Sequence, residues 1–196
     1  YEWASGSSAQ IDGATATYTW VIVKASVTVP TLTSKEYNGQ PQKADISSDL
    51  YTAEQGNNWI NAGHYNVTLT LRDSTNYKWK DGTSTQGDND EKTTVTFIIT
   101  QKKVEIIWSN TTLTYNGENQ APTATINNKI GNDDVSLSVS GAETNGNTDG
   151  ATYTATASLR GNARDNYTLD GAENTACSFT ISPYQIGVEG NLSIEG

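Results

Sequence analysis

The stretch Tyr65-Asn66-Val67-Thr68-Leu69-Thr70-Leu71 alternates apolar and polar side chains without a break. This period of two is typical of a β-strand that has one face on a core and the other in water. Residues 153–159 repeat the alternation, with one phase made of Tyr153, Ala155, Ala157 and Leu159. No long segment shows the helical period of 3.6 residues. The sequence therefore predicts an all-β fold made of half-buried antiparallel sheets.

Four landmarks occur twice, in the same order. They are a Tyr-Asn-Gly-x-x-Gln motif (37–42 and 115–120), the alternating strand (62–71 and 149–159), an Asn-Tyr pair (76–77 and 166–167) and a closing strand (95–104 and 177–186). The closing strand has an inward phase of Val95, Phe97 and Ile99 in one copy and of Cys177, Phe179 and Ile181 in the other. Asn-Gly is a strong turn signal. Because the motif recurs together with the other three landmarks, it indicates a structural turn of a repeated fold rather than an active site.

The beginning of the chain repeats the last two landmarks once more. Residues 1–3 match the Asn-Tyr landmark, and residues 18–27 match the closing strand, with Tyr18, Trp20 and Ile22 on its inward phase. We therefore expect four segments: the C-terminal strands of a truncated repeat in 1–26, full repeats in 27–103 and 104–186, and a tail or the start of a further repeat in 187–196. Neighbouring repeats of the same chain are the first partners expected of each repeat.

These landmarks resemble the mostly-β, glycine-containing tandem repeats of bacterial surface proteins, known as MBG and YDG-type bacterial Ig-like domains. The resemblance extends from the truncated copy to about Ile186, while the insertion at 78–94 is longer than its pattern. It implies tandem Ig-like antiparallel β-sandwich repeats in a secreted or cell-surface, adhesin-like protein. The function that it implies is a non-catalytic structural spacer, or stalk, outside the cell.

Composition excludes several classes of partner. The 196 residues carry a net charge of −10 at pH 7, which repels nucleic acid, since phosphate binding requires clustered Lys and Arg. Long apolar runs are absent from the sequence, so we expect no membrane span. The lone Cys177 cannot form an internal disulfide.

Catalytic and cofactor signals are also missing from the sequence. His64 is the only histidine, and its aligned position in the second repeat is Thr152, which indicates a surface residue. Cys177 aligns with Val95 and is interpreted as a small buried hydrophobe. With no zinc spacing and no nucleotide-binding loop, we expect no catalytic residue, no cofactor and no enzyme activity.

Two acidic stretches, residues 87–92 and 131–134, could offer oxygen ligands to Ca²⁺. Neither fits the EF-hand pattern, and the two do not align with each other. We interpret both as solvated turns and assign no metal site, and Ca²⁺ binding at a junction between repeats stays open as the alternative for these two loops.

The alternative function is a module that binds carbohydrate or a host surface protein. The chain has five Trp and ten Tyr, and Trp59 has no evident counterpart in the second repeat. Trp59 is thus the candidate binding residue, whereas Trp79 shares its landmark with Leu169 and is expected in the core. An exposed Trp59 would favour binding, and a buried Trp59 would favour the spacer.

Overall fold

The structure is a computed structural model that describes residues 10–12, 15–17, 20–80, 91–147, 151–185 and 187. The chain divides into two compact units, Tyr1–Thr100 and Gln101–Gly196. In the described residues, the only helical segment is the 3-10 turn Arg164–Asn166. The all-β prediction is confirmed. The finer assignment to an Ig-like sandwich stays a prediction.

Unit 1 is built around one four-stranded sheet in the order β4-β8-β6-β5. In that sheet β6 pairs antiparallel with both β5 and β8, whereas β4 lies parallel to β8. Outside it, β3 and β7 form a parallel pair, and β1 and β2 form an antiparallel pair. The strands are β1 Gln10–Asp12, β2 Thr15–Thr17, β3 Ala25–Val27, β4 Lys35–Glu36, β5 Tyr51–Glu54, β6 Gly63–Leu71, β7 Tyr77–Trp79 and β8 Lys92–Thr100.

Unit 2 is built around a four-stranded sheet in the order β11-β16-β14-β13. In this sheet β14 pairs antiparallel with both β13 and β16, and β11 lies parallel to β16. Outside this sheet, β9 pairs parallel with β15, and β10 pairs antiparallel with β12. The strands are β9 Lys102–Lys103, β10 Ile106–Ser109, β11 Thr112–Thr114, β12 Thr123–Ile126, β13 Ser136–Ser140, β14 Tyr153–Arg160, β15 Tyr167–Thr168 and β16 Ala176–Ser182.

The main sheets of the two units have the same strand order and the same strand directions. Each has a short first strand parallel to the closing strand, and each has a long alternating strand antiparallel to the closing strand. The register also coincides: Tyr65 lies opposite Phe97, and Tyr153 lies opposite Phe179. Residues that align in sequence therefore occupy equivalent places in the two sheets.

The alternating strands bury the predicted phase. Val67, Leu69, Phe97 and Ile99 lie in the core of unit 1, and Ala155, Ala157, Phe179 and Ile181 lie in the core of unit 2. Trp79 is fully buried as well, as its landmark predicts. Burying these side chains stabilises each unit by about 1.5–3 kcal/mol per large apolar residue.

The prediction for residues 18–24 was wrong in the part that the structure describes. Trp20 is 65% exposed and Ile22 60% exposed, although both were expected on the inward phase of a closing strand. A closing strand buries one face only when a sheet lies against it. Residues 20–24 belong to none of the strands above, apart from one isolated bridge at Ile22, so their apolar side chains stay in water. Tyr18 lies outside the described residues.

The last residues of the closing-strand sequences 18–27 and 95–104 form separate short strands. Ala25–Val27 pairs with Tyr77–Trp79, and Lys102–Lys103 pairs with Tyr167–Thr168. Each pairing lies within one unit, and the division of the chain after Thr100 places β9 in unit 2. Val27 and Val104 are both buried, which fixes these segments on their units.

Candidate functional site

The two Tyr-Asn-Gly motifs form the same local structure. The side-chain Oδ1 of Asn38 accepts from the backbone N–H of Gln40 at 2.9 Å, and Oδ1 of Asn116 accepts from the N–H of Glu118 at 2.8 Å. The glycines that follow have φ values of 73° (Gly39) and 82° (Gly117), in the left-handed region that glycine adopts without strain. Both motifs are therefore Asx turns, which agrees with their interpretation as structural turns rather than active sites.

Each turn is held at both ends by equivalent backbone hydrogen bonds. At the first end, the N–H of Tyr37 donates to Thr100 O at 2.9 Å, and the N–H of Tyr115 donates to Ser182 O at 2.8 Å. At the other end, the N–H of Gln42 donates to Trp59 O and the N–H of Gln120 donates to Glu143 O, both at 2.8 Å. The turn thus ties the first strand of each sheet to the closing strand and to a distant loop.

The two glutamine side chains differ. Nε2 of Gln42 donates to Glu36 O at 3.1 Å, which satisfies a backbone carbonyl. Oε1 of Gln120 is buried and has no hydrogen-bond partner. The motif's backbone is therefore the same in both units, while its side chains are used differently.

Trp59, the candidate binding residue, is half-buried and packs within unit 1. Its indole stacks on Tyr65 with ring centroids 4.7 Å apart and on Phe97 at 5.8 Å. Gly56 lies directly against the indole, because a Cβ there would come within 2.6 Å of Nε1. By the matching bridges to Gln42 and Gln120, the counterpart of Trp59 in unit 2 is Glu143. These contacts give Trp59 a packing role that does not require a ligand.

The two residues considered for catalysis, His64 and Cys177, belong to different units. His64 is exposed on β6, where it lies opposite Ile98 of β8. Cys177 is half-buried rather than buried, and its Sγ donates to Ser178 O at 3.3 Å. Because Cys177 lies in unit 2 and His64 in unit 1, neither unit brings a thiol and an imidazole together.

The acidic loop of residues 131–134 is occupied by internal hydrogen bonds. Oδ2 of Asp133 accepts from the Tyr167 hydroxyl at 2.6 Å, and Oδ2 of Asp134 accepts from the N–H of Asn162 at 3.0 Å. Within the described ranges, no group of three or more His, Cys, Asp or Glu could hold a metal ion. Most of the other acidic loop, residues 87–90, lies outside the described residues.

Asp73 closes a turn between β6 and β7 in unit 1. Its Oδ2 accepts from Nδ2 of Asn76 at 2.8 Å, and its Oδ1 accepts from the backbone N–H groups of Asn76 and Thr75. These bonds, led by the Asn76 side chain, hold the pKa of Asp73 below its ordinary value of 3.8. The carboxylate is exposed and structural.

A cleft in unit 2 is the feature that sequence reasoning missed. Tyr115 and Tyr184 line it together with Asn116, Gly146 and Pro183, and its volume is about 640 Å³. Tyr115 is 40% exposed, although its aligned residue Tyr37 is only 4% exposed. In the alignment of the two closing strands, Tyr184 falls on Lys102, which itself lies in unit 2, so repeat comparison gives no signal for an aromatic cleft here.

Comparison with known proteins adds no relative to this description. No family model, no curated protein and no solved structure matches the chain. The described residues include no helix long and apolar enough to cross a membrane.

Proposed function

We propose that the chain is a non-catalytic structural spacer, or stalk, made of tandem Ig-like repeats in an adhesin-like protein at a bacterial cell surface or secreted from it. The observation that carries this proposal is the common strand order and register of the two main sheets. A repeated module extends a chain by a fixed increment, whereas an active site has no need of a second copy. The Ig-like fold and the location at the cell surface or outside the cell are proposed because the landmarks resemble those of bacterial surface-protein repeats.

The connection between the units supports the same proposal. Strand β8 ends at Thr100 and β9 begins at Lys102, so a single residue separates the last strand of one unit from the first strand of the next. Turn motifs are pinned to the closing strand in both units by the bonds from Tyr37 and Tyr115. A pulling force on the chain acts on the closing strand, and these bonds resist its separation.

Trp59 supports the spacer more than the alternative, a carbohydrate- or host-protein-binding module centred on that residue. The indole is engaged by Tyr65, Phe97 and Gly56, so its contacts are explained by packing inside unit 1.

Force spectroscopy on the whole chain tests the spacer. Held between two handles, the chain should unfold in two separate events. Each event should release roughly 250–300 Å of chain, less the folded span, because the repeats 27–103 and 104–186 contain 77 and 83 residues at about 3.3–3.6 Å per residue. A single event, or extension without a force peak, would count against a load-bearing array of two modules.

A further inference from the structure

We propose that the cleft of unit 2 between Tyr115 and Tyr184 is a binding site for a neutral saccharide. The site is independent of the spacer role, since it lies in one unit and depends on the exposed side chains of Tyr115 and Tyr184 rather than on the backbone bonds that the two units share. The first reason is exposure: Tyr184 is 68% exposed and Tyr115 is 40% exposed, and both line the same cleft. Exposed aromatic rings offer apolar faces on which the C–H groups of a sugar ring can stack.

The size of the cleft suits a small ligand. Its volume of about 640 Å³ lies within the range of roughly 300–1,000 Å³ that is typical of ligand pockets. Gly146 contributes to this space, because a Cβ there would approach Ile181 O at 3.3 Å and Pro183 Cα at 3.4 Å. A side chain at this position would press on the wall of the cleft.

The chemistry of the lining selects an uncharged, hydroxyl-bearing ligand. Among the residues that the structure describes, five line the cleft, and none of them carries a carboxylate, an ammonium or a guanidinium group: Tyr115, Asn116, Gly146, Pro183 and Tyr184. Two phenolic hydroxyls and one carboxamide remain to recognise polar groups. Oδ1 of Asn116 accepts from the N–H of Glu118, which fixes the orientation of the amide and leaves its NH₂ group as the donor for a sugar hydroxyl.

Unit 1 shows that the turn itself does not demand this arrangement. Tyr37 has the same backbone bond as Tyr115, yet its ring is buried. The difference lies in the residues around the turn, since Glu143 in unit 2 has the place that Trp59 has in unit 1. The tyrosine of the motif is therefore exposed in unit 2 (Tyr115), whereas in unit 1 it packs in the core (Tyr37).

The test is a titration of the ¹⁵N-labelled full chain with chitotriose, cellotriose and maltotriose, followed by NMR at millimolar concentrations. Binding should shift the amides of residues 113–118, 144–147 and 182–185. Tyr184→Ala should weaken binding about tenfold, as expected for the loss of one stacking ring, and Tyr184→Phe should retain it within about twofold. Tyr115→Ala is a second, independent variant with the same expected direction.

Trp20→Ala is the matched control, because it removes a similarly exposed ring (65%) from unit 1 and should leave the affinity unchanged. The proposal is overturned if none of the three saccharides shifts these amides, or if the Tyr184→Ala and Tyr115→Ala variants bind as the unchanged chain does. It is also overturned if a proline-rich decapeptide shifts the same amides when the saccharides do not, since the cleft would then be a peptide groove.

Discussion

Replacing Trp59 by alanine should destabilise unit 1 strongly. An aromatic side chain buries about 150–250 Å² when it is fully enclosed, so the half-buried indole removes roughly 100 Å² from water. At about 25 cal/mol per Å² this area stabilises the unit by about 2.5 kcal/mol. Stacking on Tyr65 and Phe97 adds about 0.5–1.5 kcal/mol. The expected loss is therefore about 3–4 kcal/mol.

Differential scanning calorimetry measures this loss. For a domain of this size about 1 kcal/mol lowers Tm by roughly 4–8 °C, so the transition of unit 1 should fall by more than about 10 °C. The transition of unit 2 should remain where it is. Trp59→Phe keeps a ring against Tyr65 and should recover about half of the loss.

The reasoning would be refuted by a Trp59→Ala variant that melts like the unchanged chain. If that variant also lost binding on a glycan or host-matrix array that the unchanged chain shows, Trp59 would be a binding side chain. The alternative function would then replace the spacer.

Three further predictions concern single positions. Gly161→Ala should lower the free energy of unfolding by about 3 kcal/mol or more in urea titrations, because a Cβ there would clash with the backbone oxygen of Asp134 and the residue has a φ of 99°. Gly117→Ala, at φ 82° with open space, should lower it by only about 1–2 kcal/mol, and equal losses would contradict this. Tyr167→Phe should destabilise unit 2 by about 1–3 kcal/mol, because the half-buried Asp133 loses the 2.6 Å bond from the hydroxyl; an unchanged Tm would disprove it. The pKa of Asp73 in the folded protein should lie below 3.8 when measured by NMR. The stability that its carboxylate contributes is therefore complete above pH 3.8 and is lost as the pH falls through the lower pKa of the folded state. Asp73→Asn should abolish this contribution to the pH dependence of stability, and a variant that keeps it would refute the assignment.

The alternating strands could be predicted residue by residue. Val67, Leu69, Phe97 and Ile99 are buried as their phase requires. A period of two reveals which face of a strand is covered, but it does not reveal which strand lies beside it. The parallel pairing of β4 with β8 could not be predicted for that reason, since Lys35 and Glu36 show no alternation of their own.

Landmarks that align in sequence do not always bury the same residue. In β7 the fully buried ring is Trp79, whereas in β15 it is Tyr167, which aligns with Tyr77 rather than with Trp79. The Tyr167 hydroxyl donates to Asp133 and accepts from the N–H of Ile130 at 2.9 Å. A loop that is distant in sequence therefore decides which aromatic residue is enclosed.

The cleft escaped sequence analysis for a similar reason. Alignment with Tyr37 predicts a packed Tyr115, and nothing in the motif indicates that one ring is buried and the other exposed. Trp20 is exposed for a related reason. The alternation around it is typical of a strand, but no sheet in the described residues covers the ring. In both cases the elements packed around the ring decide whether it is buried or exposed.

The most direct test of two units on one plan is the detection of hydrogen bonds by through-bond NMR couplings. We predict couplings from the Tyr37 amide to the Thr100 carbonyl and from the Tyr115 amide to the Ser182 carbonyl, the equivalent bonds of 2.9 and 2.8 Å. Observing both would establish that the turn after the first strand is bonded to the end of the closing strand in each unit. A coupling in only one unit, or from either amide to a different carbonyl, would contradict the shared plan on which the proposed function rests.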